Sequence, residues 1–156
     1  YKGRGFIYRS RNEKKSSTSC IDWEDSKLDT DQKQYIKKIV ELCRKSDIKI
    51  VFTTVVQDPQ TVKEKVIGFQ KADDYIREIA NELGVEYYNF NGIYQTYFER
   101  NTDDFYDKEG HMYGDTAERF SKIYGQVIRE SFNGGLQNDY FEKDLKTLYG
   151  DPAVIK

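Results

Sequence analysis

The only histidine in this 156-residue chain, His111, lies in the segment DDFYDKEGHMYGDTAERFS and is suited to acid–base chemistry near neutral pH. Aspartates precede it by four, seven and eight positions, at Asp107, Asp104 and Asp103. A carboxylate that accepts a hydrogen bond from one ring nitrogen leaves the other nitrogen free to take a proton. The segment therefore predicts a general base oriented by a carboxylate. A solvated loop histidine without a role is the alternative interpretation.

Beyond the histidine, the segment combines aromatic, acidic and small residues in a fixed order: Phe105, Tyr106, Asp107, His111, Met112, Ala117, Phe120 and Ser121. This order resembles the last sequence block of the SGNH (GDSL-like) hydrolases and their acyltransferase relatives, which often reads F-Y-D-x-x-H-L-N-x-x-G-A-x-x-F-S. In that family the histidine is the catalytic base, and the aspartate three positions before it orients the imidazole. The resemblance implies these roles for His111 and Asp107. Because Asp107 lies four positions before His111, Asp104 and Asp103 stay open as the orienting group.

The succession of elements over residues 32–132 also resembles the C-terminal half of SGNH-type acyltransferases of bacterial surface polymers, relatives of the D-alanyl transfer protein of teichoic acid synthesis. The resemblance implies an α/β fold, a three-layer αβα, flavodoxin-like arrangement with a mainly parallel sheet. The family's Gly-Asp-Ser nucleophile block and its G-x-N-D block do not occur in this sequence, and the sequence does not begin with methionine. We therefore expect the chain to be the C-terminal part of a larger enzyme that carries the serine nucleophile upstream.

The function implied by the resemblance is that of an ester hydrolase or O-acyltransferase acting on an acylated glycan or cell-surface polymer. His111 would take the proton of the upstream serine, and this chain alone would be inactive. The expected location is extracytoplasmic or at the cell surface. The alternative is a complete, non-catalytic carbohydrate- or polymer-binding or scaffold domain with a degenerate fold. Its stacking surface would be formed by the tyrosines at positions 87, 88, 94, 97, 106 and 113.

Composition limits the class of protein. The chain has 37% hydrophobic and 33% charged residues, which is typical of one globular domain with a polar surface. A formal net charge of −2 disfavours nucleic acid as the main partner. Cys20 and Cys43 have no zinc-site spacing, so the sequence implies neither a metal nor another cofactor. No apolar run is long enough to span a bilayer, so membrane contact is expected only through segments missing from this chain.

The elements that must position the histidine follow from hydrophobic periodicity. We expect an extended arm over residues 1–28, an α/β portion over 29–135, and a tail over 136–156 with a short helix at 140–148. Within the α/β portion, the apolar spacing predicts a helix over 30–45 with its apolar side formed by residues 35, 36, 39, 40 and 43. A strand over 48–56, a long helix ended by Gly84 and a strand over 85–90 would form a parallel βαβ unit. A last helix is predicted to begin at Asp115, with Asp115 and Glu118 as reciprocal caps.

Open α/β sheets bind ligands beyond the carboxyl ends of their parallel strands. The loops at residues 53–59, 89–92 and 103–111 should therefore meet at one rim of the sheet. This placement predicts that Thr54 and Gln57, which follow the first strand, bind substrate in the same cleft as His111. High β-propensity alone is the alternative explanation for the threonine.

Overall fold

Five helices and two short parallel strands make up the part of the chain described by the computed structural model, residues 8–13, 15 and 30–150. Most of the expected N-terminal arm and the last six residues of the tail lie outside it. In chain order the elements are α1 (Thr30–Lys45), β1 (Val51–Thr54), α2 (Pro59–Glu64), α3 (Val66–Leu83), β2 (Glu86–Asn89), α4 (Gly114–Phe132) and α5 (Leu145–Tyr149), with 3-10 turns at Phe90–Gly92 and Thr102–Asp104.

The two strands pair in parallel, with Val51 opposite Glu86 and Thr54 opposite Asn89. The predicted βαβ order and the mixed α/β class are confirmed. Both strands are shorter than predicted, because α3 ends at the left-handed Gly84 and the chain turns into a 3-10 turn directly after β2. The β-branched run of residues 48–56 favours an extended backbone, but β1 can pair only along the length of β2, which has four residues.

The crossover between the strands contains two helices where the sequence pattern indicated one. Asp58 caps α2: its carboxylate accepts hydrogen bonds from the backbone N–H groups of Gln60 and Thr61 and from the Thr61 hydroxyl. Pro59 occupies the first helical position, where no N–H is required. The helix is interrupted at Lys65, after which α3 continues to Leu83.

The strands alternate their side chains between two packed faces. Tyr87 and Thr54 face α3, and both line a cleft together with α3 side chains. On the other face, the Thr53 hydroxyl lies 3.3 Å from the hydroxyl of Tyr124 on α4, and the Tyr88 ring stacks on Phe141. The main core continues on that second face with fully buried side chains that include Val56, Phe90, Ile93, Phe105 and Val127.

The apolar side predicted for α1 is only partly buried. Val40 is fully buried, whereas Tyr35 is 63% and Ile39 is 56% exposed, so only part of the predicted apolar side is covered. The helix lies against the end of α3, where the Arg44 guanidinium donates to the carbonyl oxygens of Leu83 and Gly84. This contact covers only a narrow stripe of the helix, and helical periodicity does not specify how wide the covered stripe will be.

The prediction that Asp115 and Glu118 cap α4 reciprocally is also wrong. The N-cap of α4 is Tyr113, whose side chain makes no capping hydrogen bond, and Asp115 instead pairs with Arg11 at 2.8 Å. A capping box is present at the 3-10 turn of Asn101 and Asp104. The tail helix is shorter than the predicted 140–148, because Tyr140 is fully buried in the main core and its carbonyl accepts a hydrogen bond from the backbone of Tyr94.

Candidate active site

His111 lies in a hairpin-like loop closed by backbone hydrogen bonds. Phe105 and Met112 form an antiparallel bridge, and the Tyr106 N–H donates to the His111 carbonyl at 2.7 Å. Inside the loop, Asp107 Oδ1 accepts hydrogen bonds from the N–H groups of Glu109, at 3.0 Å, and His111, at 3.2 Å. An aspartate that accepts from the backbone two residues onward is a common way to initiate a turn. The same side chain thus shapes the loop and reaches the histidine.

The second carboxylate oxygen of Asp107 contacts the imidazole directly. Asp107 Oδ2 lies 2.7 Å from His111 Nδ1, which is the distance of a strong charge-assisted hydrogen bond. The Asp107 side chain is 5% exposed and the His111 side chain is 56% exposed. A buried carboxylate holds the ring while the rest of the imidazole faces solvent. With the proton on Nδ1, the lone pair of Nε2 is available to a proton donor.

Gly110 allows the loop to turn so that the His111 ring reaches Asp107, four residues before it. Its φ of 89° lies in the left-handed region, which L side chains rarely adopt. A Cβ at this position would also lie 2.7 Å from Cδ and 2.9 Å from Nε2 of Gln57. The Gln57 amide therefore packs against the backbone directly before His111. This close approach brings the loop after β1 to the histidine loop, as expected for the rim of the sheet.

Asp104 forms hydrogen bonds with other side chains and not with the histidine. Its Oδ1 accepts hydrogen bonds from Arg11 at 2.7 Å, from Thr116 at 3.0 Å and from Arg119 at 3.1 Å. Burial works to raise the pKa of Asp104, but the hydrogen bonds from Arg11, the Asn101 backbone and Thr116, with the charge of Arg119, leave it below its usual value. This cluster stabilises the base of the loop.

Asp103 pairs with Lys15 at 3.0 Å, and its side chain is 89% exposed. Of the three aspartates that the sequence left open, the structure thus brings only Asp107 to His111. The contact itself depends on the turn at Gly110, because an aspartate four residues away in an extended loop would be out of reach.

The residues predicted to bind substrate line one cleft at the carboxyl ends of the strands. It has a volume of about 240 Å³ and is lined by Thr54, Val55, Gln57, Phe69, Ala72, Asp73, Ile76, Tyr87, Asn89 and Asn91. The Thr54 hydroxyl donates to Asn89 Oδ1 at 2.6 Å, and the Gln57 N–H donates to Asn91 Oδ1 at 2.8 Å. Gln57 lines the cleft and its amide also packs against Gly110, so the cleft lies next to the histidine loop.

The sequence interpretation missed Asp73 and Tyr87 in this cleft. Asp73 is 2% exposed, and its Oδ2 pairs with Arg77 at 2.9 Å. The available signal was its position on the buried side of α3, in helical spacing with Phe69 and Ile76, where an acidic residue is unusual. Tyr87 gave no comparable signal, because tyrosine is common in strands.

Three side chains of the histidine loop could also ligate a cation. Ligand atoms of Asp107, Glu109 and His111 lie within 4.8 Å of one another. Two ligands on one tetrahedral zinc, each about 2.1 Å from it, would lie about 3.4 Å apart. The 2.7 Å separation of Asp107 Oδ2 and His111 Nδ1 is instead that of a direct hydrogen bond. The arrangement therefore matches an acid–base dyad better than a metal centre.

The six tyrosines considered for a stacking surface do not share one exposed face. Tyr113 is 3% exposed, Tyr87 lines the cleft, and the ring of Tyr88 is covered by Phe141. Tyr97 is 38% exposed and packs on Tyr140, with ring centroids 4.7 Å apart. A flat glycan platform formed by all six rings is therefore not present.

Comparisons of this chain with protein-family models, with curated proteins and with solved structures find no match. Among the described residues, no helix is both long and apolar enough to cross a bilayer. Cys20 lies outside the described part of the chain, and Cys43 is a half-buried free thiol on α1.

Proposed function

We propose that this chain supplies the acid–base part of an SGNH-like ester hydrolase or O-acyltransferase that acts on an acylated glycan or cell-surface polymer outside the cytoplasm. The observation that carries the proposal is the 2.7 Å contact between buried Asp107 and exposed His111. A buried carboxylate that orients an accessible imidazole is the arrangement by which serine hydrolases activate their nucleophile. The resemblance of the surrounding sequence to the SGNH histidine block is the second support.

In the proposed reaction, His111 Nε2 takes the proton of a serine hydroxyl as the serine oxygen attacks the ester carbonyl carbon. The imidazolium, stabilised by Asp107, then gives that proton to the leaving alcohol as the original C–O bond breaks. Water or a glycan hydroxyl attacks the resulting acyl-enzyme, and His111 repeats the same two proton transfers. Asp107 Oδ2 accepts the hydrogen bond from Nδ1 and so keeps the proton of the neutral ring on that nitrogen.

The proposed nucleophile lies outside the described residues. Within residues 8–13, 15 and 30–150, no serine, threonine or cysteine side chain is hydrogen-bonded to His111. We place the serine in an upstream part of the parent protein, where the remaining strands of a three-layer, flavodoxin-like sheet would also lie. The parallel pairing of β1 and β2 and the approach of Gln57 to Gly110 at the carboxyl ends of the strands support this arrangement.

The test uses the longest natural chain that contains these 156 residues, with a fluorophosphonate probe for the serine and p-nitrophenyl acetate as the ester. We expect labelling of the long chain and none of the 156-residue chain. His111→Ala should abolish ester turnover, and Asp107→Asn should lower kcat/KM by about 10²- to 10⁴-fold. Glu109→Gln is the matched control, because Glu109 also approaches Nδ1, at 4.0 Å, but is exposed and makes no hydrogen bond to the ring.

Undiminished ester turnover in His111→Ala would refute the proposed base. Loss of activity on treatment with EDTA, restored by zinc, would instead indicate that Asp107, Glu109 and His111 bind a metal. If neither chain is labelled and neither hydrolyses the ester, the non-catalytic polymer-binding alternative is favoured over the enzyme.

A further inference from the structure

The tripeptide Phe-Asn-Gly occurs twice in the chain, at residues 90–92 and 132–134. An asparagine followed by glycine is prone to deamidation, in which the backbone nitrogen of the glycine attacks the asparagine side chain. Glycine has no Cβ to shield that nitrogen, and it leaves the backbone free to adopt the required conformation. Because the two copies have the same sequence, a large difference in their reactivity would come from the fold.

The first copy is fixed by hydrogen bonds in the core. Asn91 is 3% exposed, and its Oδ1 accepts a hydrogen bond from the Gln57 N–H at 2.8 Å. Its carbonyl oxygen accepts two more, from Arg100 at 3.2 Å and from the Tyr149 hydroxyl at 2.9 Å. A Cβ on Gly92 would meet backbone atoms of another segment, so this peptide has little space in which to rotate. The same contacts that hold Asn91 in the core keep its side chain away from the nitrogen of Gly92.

The second copy lies at the exposed end of α4 and has no such contacts. Asn133 is the C-cap of the helix, and both Asn133 and Gly134 are exposed. Within the described residues, the Asn133 side chain and carbonyl oxygen form no hydrogen bond, and neither does the Gly134 N–H. A Cβ placed on Gly134 would meet no atom within 4 Å. The attacking nitrogen is therefore accessible to solvent, and the asparagine side chain is free to rotate toward it.

From this contrast, we propose that Asn133 is a site of spontaneous deamidation with water as the co-reactant, and that the fold protects Asn91 from the same reaction. The Gly134 nitrogen gives its proton to a base in the solvent and attacks Asn133 Cγ. The Cγ–Nδ2 bond breaks, and Nδ2 takes up a proton and leaves as ammonia. Water then adds to either carbonyl carbon of the cyclic imide and breaks the bond from that carbon to nitrogen. The product is aspartate or isoaspartate, and no oxidant or reductant is required.

The modification adds one negative charge where α4 ends. The helix dipole disfavours a carboxylate at this end. The ammonium of Lys49 lies beside the position, since it donates to the Phe132 carbonyl oxygen at 2.7 Å, and its charge offsets that effect. Asn133 also lies outside the hydrogen-bonded helix, which ends at Phe132. We therefore expect the deamidated chain to stay folded and to accumulate.

The test incubates the folded 156-residue chain in an alkaline buffer made with water enriched in the heavy oxygen isotope, and follows both tripeptides by proteolytic digestion and mass spectrometry. Alkaline buffer is used because the Gly134 nitrogen must lose its proton. We expect aspartate and isoaspartate at position 133 with one heavy oxygen, which comes from water. The reaction of Asn91 should be at least about tenfold slower, since it requires local opening of the core.

The same incubation in urea that unfolds the chain removes the protection. Both asparagines should then react at similar rates, and the rate at Asn133 should stay close to its rate in the folded chain. Asn133→Gln is the matched control, because the longer side chain would have to close a larger ring. It should abolish the reaction at position 133 and leave the rate at Asn91 unchanged.

Equal rates at Asn133 and Asn91 in the folded chain would overturn the inference. A reaction at Asn133 that begins only in urea, or a product that contains no heavy oxygen, would overturn it as well. None of these measurements depends on ester turnover, so the outcome is independent of the proposed function.

Discussion

Replacing Asp104 with asparagine measures how strongly one buried carboxylate stabilises the base of the histidine loop. Asp104 Oδ1 accepts hydrogen bonds from Arg11, Arg119 and Thr116, and Oδ2 accepts one from the Asn101 N–H at 3.0 Å. Arg11 joins the segment of residues 8–13 to this loop, so the carboxylate connects parts of the chain more than 90 residues apart. Asparagine keeps the size and one acceptor but removes the charge.

The expected loss follows from the individual contacts. A hydrogen bond to a charged group contributes about 1.5–3 kcal/mol and a neutral one about 0.5–1.5, so each arginine contact loses about 1 kcal/mol. The Arg11 and Arg119 side chains are 43% and 44% exposed, and solvent screening reduces their share. The amide NH₂ would face the Asn101 N–H and lose one more hydrogen bond. We expect the free energy of unfolding of Asp104→Asn to be about 2–3 kcal/mol lower at pH 7.

The loss should depend on pH with a defined sign. Folding lowers the pKa of Asp104, so the carboxylate stabilises the folded protein above the pKa of the unfolded chain, about 3.9. This stabilisation disappears as the pH falls through the folded value. The difference between the original chain and Asp104→Asn should therefore be constant from pH 7 to about pH 5 and shrink below about pH 4.

Urea unfolding followed by far-UV circular dichroism, at several pH values, measures the difference. Asp103→Asn is the matched control, because its side chain is 89% exposed and its pair with Lys15 is screened by water, so no measurable loss is expected. A loss in Asp104→Asn that does not change with pH, or an equal loss in Asp103→Asn, would refute the reasoning.

Two further substitutions test the loop and the core. Gly110→Ala should lower the free energy of unfolding by about 1–2 kcal/mol, because φ is 89° and the new Cβ would meet the Gln57 amide. It should also shift the imidazole NMR signals of the single histidine. Gly134→Ala is the control: its φ is 114° but no atom lies within 4 Å, so the imidazole signals should stay unchanged. The buried guanidinium of Arg100 donates to three backbone carbonyls and to the Tyr149 hydroxyl. Arg100→Met should therefore lower the free energy of unfolding, measured by urea denaturation, by at least about 3 kcal/mol. A loss below about 1 kcal/mol would contradict this account.

The elements predicted well are those whose signals are local. The α1 bounds match the predicted 30–45, and α3 ends at the left-handed Gly84 as the pattern indicated. Strand, helix and strand followed in the expected order, and the strands are parallel. The capping of α4 was predicted wrongly, because a carbonyl of the N-terminal segment, Arg9 O, receives the Gly114 N–H and Asp115 binds Arg11 instead. A local cap motif competes with such distant partners, and the sequence does not show them.

The candidate site divides in the same way. The sequence by itself determined that His111 is the only imidazole and that aspartates precede it, and it predicted that Gln57 follows the first strand. Only the tertiary structure decided which aspartate contacts the ring, and only it placed Asp73 and Tyr87 in one cleft. Hydrophobic periodicity and turn preference depend on residues close together in the chain and can be recognised in the sequence. Contacts between distant residues depend on strand register, helix packing and the left-handed turn at Gly110, which form only when the whole chain is folded.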